Sequence, residues 1–243
     1  MGKLDGKAAL VTGASKGIGR GICRALAAEG CALMMTARGD AELLAAAHEM
    51  EQLGVTTITA AGDVADERHV ERTFALAARR LGRLDLLVNN AGAFDGGPLD
   101  ELAVEDWDRV IATNLRGPFL CTRAAMRIMK RQGVGRIINV GSIAAQRVRP
   151  HSAPYSASKH GLWGLTQVTA LEGRDHGITC GCLHPGNIQV ERRVDSGQRE
   201  DEEPMIGVEQ IAEVALLMAT LPPEVELLEA IVLPHRQSYV GRG

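Results

Sequence analysis

Tyr155 and Lys159 stand four residues apart in a stretch of helical composition, Tyr155-Ser156-Ala157-Ser158-Lys159. At that spacing a phenol and an ammonium lie on one face of a helix. A lone phenol holds its proton too tightly near neutrality to pass it back and forth. A cation alongside favours the phenolate, so the pair has the makings of a general acid–base. Tyr-x3-Lys by itself is common on helix surfaces, and its weight comes from what precedes it. An apolar run over 136–140 ends in Gly141-Ser142. Open α/β sheets build their sites at the C-terminal ends of strands, and a serine there can hold an oxygen beside the phenol.

A second group, Thr12-Gly13-Ala14-Ser15-Lys16-Gly17-Ile18-Gly19, follows a strand-like run and opens a helical one. Glycines let the backbone turn tightly and approach a pyrophosphate. The helix N-terminus adds free N–H groups and a partial positive charge. The context is that of a dinucleotide loop, with spacing Gly-x3-Gly-x-Gly in place of the common Gly-x-Gly-x-x-Gly.

These groups need a scaffold, and the chain alternates strand-like and helix-like segments along its length. Short apolar runs at 8–11, 31–36, 56–61, 84–89, 136–140, 178–183 and 229–233 predict seven strands. Helical periodicity marks 18–29, 41–53, 66–81, 104–132, 153–174 and 208–221. Asp40 is expected to N-cap the second helix, and Gly117-Pro118 to kink the long fourth one. Strands that are apolar without alternation are buried on both faces, as in a parallel sheet between helices. The predicted fold is therefore a doubly wound α/β, Rossmann-type single domain over 1–243, with a seven-stranded parallel sheet and helices on both faces. The polar, aperiodic 187–207 stretch is expected to be a substrate lid.

Composition agrees. The chain has 243 residues, 45% of them hydrophobic, and a net charge of −3, which excludes disorder and gives no basic excess for nucleic acid. Two Trp, two Tyr and three Phe are too few for a base-stacking platform. No run reaches the length of a membrane span, and no secretory signal opens the chain, so a cytoplasmic location is expected. The five cysteines lie in apolar segments and read as core residues, with no metal spacing.

Over essentially its full length the chain resembles the short-chain dehydrogenase/reductase family. The resemblance rests on Thr12-Gly13-x3-Gly17-x-Gly19, Asp63-Val64, Asn89-Asn90-Ala91-Gly92, Asn114, Ser142, Tyr155-x3-Lys159 and Pro185-Gly186. It implies hydride transfer between a nicotinamide and a small-molecule carbonyl or alcohol. Tyr155 would be the general acid–base and Ser142 would position the carbonyl. Lys159 would assist Tyr155 and hold the nicotinamide ribose, while Asn114 would anchor a water linking Lys159 to solvent. Gly13, Ser15, Lys16, Gly17, Ile18 and Gly19 would cradle the pyrophosphate. Asp63 and Val64 would contact adenine, Asn90, Ala91 and Gly92 would support the ribose region, and Pro185, Gly186 and Ile188 would flank the nicotinamide. A homodimer or homotetramer through the two long helices is also implied, with Trp163 either an interface anchor or core.

Two points depart from the family pattern. Asn187 stands where a Thr usually follows Pro185-Gly186, and the tail lacks the Asp-Gly-Gly ending of acyl-carrier-protein ketoreductases. Arg38 after the second strand, with Lys16, favours NADP over NAD, although Asp40 leaves NAD open. Near the expected pocket, Phe94 and Asp95 face a basic run containing Arg147 and Arg149, and Arg192 and Arg193 fall in the lid. These arginines are either an anion-binding group or solvated surface. Two other functions stay open on this scaffold: a nucleotide-binding sensor without turnover, and a non-redox lyase or isomerase.

Overall fold

The computed structural model describes residues 2–190 and 204–239. Seven parallel strands form one sheet in the order β3-β2-β1-β4-β5-β6-β7. They are β1 (Ala8–Thr12), β2 (Ala32–Ala37), β3 (Thr57–Ala61), β4 (Leu86–Asn89), β5 (Gly135–Val140), β6 (Ile178–Pro185) and β7 (Glu229–Val232). The helices are α1 (Gly17–Ala28), α2 (Asp40–Glu51), α3 (Glu67–Leu81), α4 (Val104–Ile111), α5 (Gly117–Gln132), α6 (Ala153–Gly173) and α7 (Val208–Thr220). The strand order reverses between β1 and β4, which opens a crevice at their C-terminal ends.

Each face of the sheet has its own core. Ile22 of α1, Leu43 of α2 and Ile211 of α7 pack with Val11, Leu33 and Leu183 on one side. Phe74 of α3, Leu120 of α5 and Ala170 of α6 pack with Leu10, Leu87 and Ile137 on the other. The strands are uniformly apolar because both of their faces are covered. All five cysteines are buried and free. Burial pushes the Cys121 and Cys182 thiols up to about 12, so they act as small core residues without nucleophilic character.

Two expected details are corrected. Asp40 does not cap α2: Gly39 is the N-cap, and Asp40 begins the helix itself. Its carboxylate is better placed in the first turn, where the helix dipole favours negative charge. The long helix expected over 104–132 is not continuous α-helix up to Gly117-Pro118. Instead residues Ala112–Arg116 form a π-helical segment between α4 and α5, closed by Gly117 N–H donating to the Ala112 carbonyl. Pro118 explains this: its ring would crowd the carbonyl four residues back, and it has no N–H to offer there. The residue four back is Asn114.

A polar ladder crosses the sheet between β4 and β5. Asn89 Nδ2 donates to Asn139 Oδ1 (2.8 Å) and Thr122 Oγ1 (3.1 Å), and Asn139 Nδ2 donates to Thr166 Oγ1 (2.8 Å). All four residues are buried, so the bonds tie α5 and α6 to the strands in a medium where an unmade bond is costly.

At the opposite end of β4, Asp85 accepts from Ala8 N–H, Arg83 and Lys7. Burial would raise its carboxyl, but Arg83, the Ala8 N–H and Lys7 outweigh it and hold it below the usual carboxylate range. A carboxyl lowered in the folded state stabilises the fold above its unfolded pKa and stops doing so as pH falls through the folded one. Asp85→Asn should therefore cost about 1–3 kcal/mol at neutral pH. The difference from wild type should shrink below about pH 4. Urea titrations at pH 7 and pH 3 check this, and an equal deficit at both would exclude the charge effect.

Candidate active site

The glycine loop is shaped by close approach. Gly13 and Gly17 have φ of +64° and +52°, a region that favours glycine. A Cβ on Gly19 would lie 2.2 Å from the Gly13 carbonyl oxygen, and one on Gly13 would lie 2.8 Å from Ala91 Cα. Lys16 is the extended N-cap residue of α1 and offers no side-chain cap, so the first-turn N–H groups have no intrahelical acceptor. Thr12 fastens this loop to the next element. Its hydroxyl accepts from the N–H groups of Asn90 and Ala91 (3.0 Å each), and Asn90 Nδ2 donates to the Thr12 and Gly13 carbonyls. The Asn90 amide thus holds the loop itself. Ser15 is buried, and Gly92 is exposed.

Arg38 follows β2 directly and is exposed at the mouth of the same crevice. Asp63 accepts from Ala65 N–H (2.9 Å). Val64 is buried against Gly117, where a Cβ would meet its methyl at 2.8 Å.

The second cluster gathers at the ends of β4 and β5. Asn114, in the π-helical segment, is 1% exposed. Its Oδ1 accepts from Ala93 N–H (2.7 Å), and its Nδ2 donates to the Ala93 carbonyl (2.8 Å) and Ser158 Oγ (3.2 Å). Asn114 therefore joins the segment after β4 to α6. Phe94, next to Ala93, meets the half-buried Tyr155 ring edge-on, with centroids 5.2 Å apart. Lys159 is buried and donates from Nζ to the Val140 carbonyl at 2.8 Å. The same ammonium lies 5.6 Å from the Tyr155 ring centroid. Ser142, two residues beyond Val140, has extended backbone, and its Oγ accepts from Ala144 N–H (3.1 Å). One residue of α6 thus reaches both the phenol and the strand that presents the serine.

The floor comes from the end of β6. Gly186 N–H donates to the Val232 carbonyl (2.8 Å). Asn187 is buried, with its N–H donated to Gln237 Oε1 (2.9 Å). The Ile188 side chain belongs to the apolar core, so only its main chain is available to a ligand. Ile188 and Ile206 pair as a parallel bridge, so the expected lid begins and ends at one point. Residues 191–203 of that lid, with Arg192 and Arg193, lie outside the described residues.

Other expected residues are engaged elsewhere. Asp95 pairs with Arg109 of α4. The Arg147 guanidinium lies over the Tyr239 ring, 5.7 Å from its centroid. Trp163 packs edge-on to His184, 5.8 Å between centroids. Neither Gln237 nor His184 stood out in the sequence. The first is remote in the chain, and the second sits inside an apolar strand.

Comparison with known proteins adds to this geometry. The family model described as short chain dehydrogenase matches residues 7–201. The D-beta-hydroxybutyrate dehydrogenase of Cupriavidus necator is 36% identical over 205 residues, 83% of this chain and 80% of that one. The 3-oxoacyl-[acyl-carrier-protein] reductase of Synechocystis is 38% identical over 192 residues, 79% of this chain and 78% of that one. Among solved structures, a metagenomic short-chain oxidoreductase in complex with NADP superposes with a TM-score of 0.84. It is 34% identical, and the match covers 96% of this chain and 98% of that one.

Proposed function

Given that the chain belongs to the short-chain dehydrogenase/reductase family, we propose that it is an NADP-dependent oxidoreductase interconverting a carbonyl and a secondary alcohol. One observation carries the reading. The glycine cradle and the Ser142, Tyr155 and Lys159 group stand on the same C-terminal edge of the sheet, bound together through Thr12, Asn90, Ala93 and Asn114.

The cradle fits a dinucleotide. Gly13 and Gly19 leave the backbone bare where a Cβ would strike the opposite wall, and α1 supplies N–H groups to a pyrophosphate. Gly13, Ser15, Lys16, Gly17, Ile18 and Gly19 would hold the pyrophosphate, and Arg38 with Lys16 the 2′-phosphate. Asp63 and Val64 would flank adenine, with Asn90, Ala91 and Gly92 at the ribose and Pro185, Gly186 and the Ile188 main chain at the nicotinamide. When bound, NADP supplies or accepts the hydride.

The chain's own residues handle the proton. Ser142 Oγ holds the carbonyl oxygen. Tyr155 gives its phenolic proton to that oxygen in reduction and takes it back in oxidation. The Lys159 ammonium stabilises the phenolate that forms. Asn114 anchors a water that returns the proton from solvent by way of Lys159, through the carbonyl that Pro118 cannot bond.

Exposed Phe119 on α5, with Val168 and Leu171 on α6, supports self-association through these helices. The functional test is oxidation of NADPH and NADH over a panel of keto acids, keto esters, cyclic ketones and aldehydes. NADPH binding without oxidation across the panel would favour a sensor. Substrate conversion with NADPH untouched would favour a lyase or isomerase.

Cofactor choice has its own test. Arg38 is the exposed cation at the end of β2, where a 2′-phosphate would lie. Arg38→Asp should weaken kcat/KM for NADPH about 10- to 100-fold and raise the relative use of NADH. Unchanged NADPH kinetics would reassign the 2′-phosphate contact.

A further inference from the structure

Backbone pairing between β5 and β6 runs to Val140 opposite Leu183, and Gly141 N–H then donates to the Leu183 carbonyl at 2.7 Å. At the next step a side chain takes over. His184 Nδ1 lies 2.8 Å from the Ser142 carbonyl oxygen. A carbonyl only accepts, so Nδ1 carries the hydrogen and donates it. The longer approach of Ser142 N–H to the same nitrogen (3.3 Å) would need a lone pair there, and the two cannot hold together. The imidazole thus adds one more rung to the ladder, at the residue whose hydroxyl is to hold the substrate oxygen.

The ring is fixed from every side. It is fully buried. Gly141 has no side chain to displace it: a Cβ there would lie 2.6 Å from His184 Nδ1 and 2.7 Å from Cys182 Sγ. Trp163 closes one side edge-on. Nε2 makes no hydrogen bond, although Glu229 Oε1 of β7 stands 3.4 Å away. That carboxylate oxygen already accepts from Gln146 Nε2 at 2.6 Å. The turn after β5 is therefore held at both ends, Ser142 by His184 and Gln146 by Glu229. Burial lowers the imidazole's proton affinity, the Ser142 carbonyl and Glu229 act against it, and the Lys159 ammonium lowers it further, leaving the ring below its ordinary range. A neutral ring with one hydrogen on Nδ1 agrees with that balance.

We propose that His184 is a positioning residue for the reaction, fixing through its Nδ1 bond to the Ser142 carbonyl the extended backbone that aims the Ser142 hydroxyl at the substrate oxygen. This rests on the reading of Ser142 as the carbonyl-holding group. Only the Nδ1 side of the ring carries the role, and two amides separate the sides. The Asn amide nitrogen falls near the place of Nδ1, and the Gln amide nitrogen near that of Nε2.

The experiment compares His184→Asn, His184→Gln and Ser142→Ala in the full chain, with NADPH and the panel carbonyl that turns over fastest. His184→Asn should keep kcat within about threefold of wild type, while His184→Gln should lower it about 10- to 100-fold. KM and NADPH affinity by fluorescence titration should move less than about twofold in both. Equal kcat in the two variants, or a loss in His184→Asn as deep as in His184→Gln, overturns the proposal. A fall in NADPH affinity that tracks the fall in kcat also overturns it, because the histidine would then only shape the fold. Ser142→Ala separates the two readings. Full activity there removes the role of Ser142 and this proposal with it, whereas a deep loss beside indifferent His184 variants removes this proposal alone.

Discussion

Replacing Tyr155 with Phe should lower kcat on the order of 10²–10⁴-fold, the range that a positioned proton donor contributes. The fold should not register the change. The Tyr155 ring packs edge-on to Phe94, and that contact belongs to the ring and not to the hydroxyl. The Lys159 ammonium keeps its bond to the Val140 carbonyl, so α6 stays tied to β5. NADPH affinity and thermal midpoint should therefore stay near wild type while turnover is lost. Steady-state kinetics, fluorescence titration and a melting curve on the same preparation check all three. Turnover within a few-fold of wild type would mean that the proton comes from another group.

The second large effect is expected at Asn114, and it should appear in stability as well as rate. Its buried amide makes three hydrogen bonds, two of them to the main chain of Ala93. Asn114→Ala removes these bonds and leaves the Ala93 N–H and carbonyl without partners, at a cost of about 2–4 kcal/mol. In a chain of this size that corresponds to a midpoint lower by about 5–15 °C. Ala93 adjoins Phe94, which packs on Tyr155, so kcat should fall about 10- to 100-fold in the protein that remains folded. Asn114→Asp keeps an acceptor for Ala93 N–H but sets a buried carboxylate oxygen against the Ala93 carbonyl, so it should not restore the midpoint. A midpoint within a degree of wild type for Asn114→Ala would show that the segment after β4 is held some other way.

Much of this arrangement was legible in the sequence because it is local or repeated. Short apolar runs between helical stretches specify a parallel sheet, since strands covered on both faces have no polar side to alternate. The glycine loop declares itself because few other residues could adopt φ of +64° at Gly13. Tyr155 and Lys159 are four apart on one helix, and helical geometry alone puts them together.

The contacts that escaped are those in which a neighbour far along the chain decides the outcome. The π-helical turn at Ala112–Arg116 leaves helical composition unchanged, so periodicity read it as ordinary helix and put the disturbance one turn late, at the proline that causes it. His184 lies in an apolar strand, and its partner Ser142 is brought beside it only by the pairing of β5 with β6. Gln237 reaches Asn187 across the sheet edge, a contact that no local pattern announces. Asp40 failed for a smaller reason: Gly39 was available to take the cap one residue earlier.

The bridge between Ile188 and Ile206 gives the intervening chain a pinched neck. Gln189 N–H and Ile206 N–H lace that neck in both directions, and Gln237 braces it from behind at Asn187. Closing a loop from a fixed neck depends only weakly on its length, and each doubling costs about 0.6 kcal/mol. Insertions shorter than the segment itself should therefore add less than that to the cost of closure. Length variation between Ile188 and Ile206 is thus separated energetically from the β5–β6 pairing that carries Ser142 and His184.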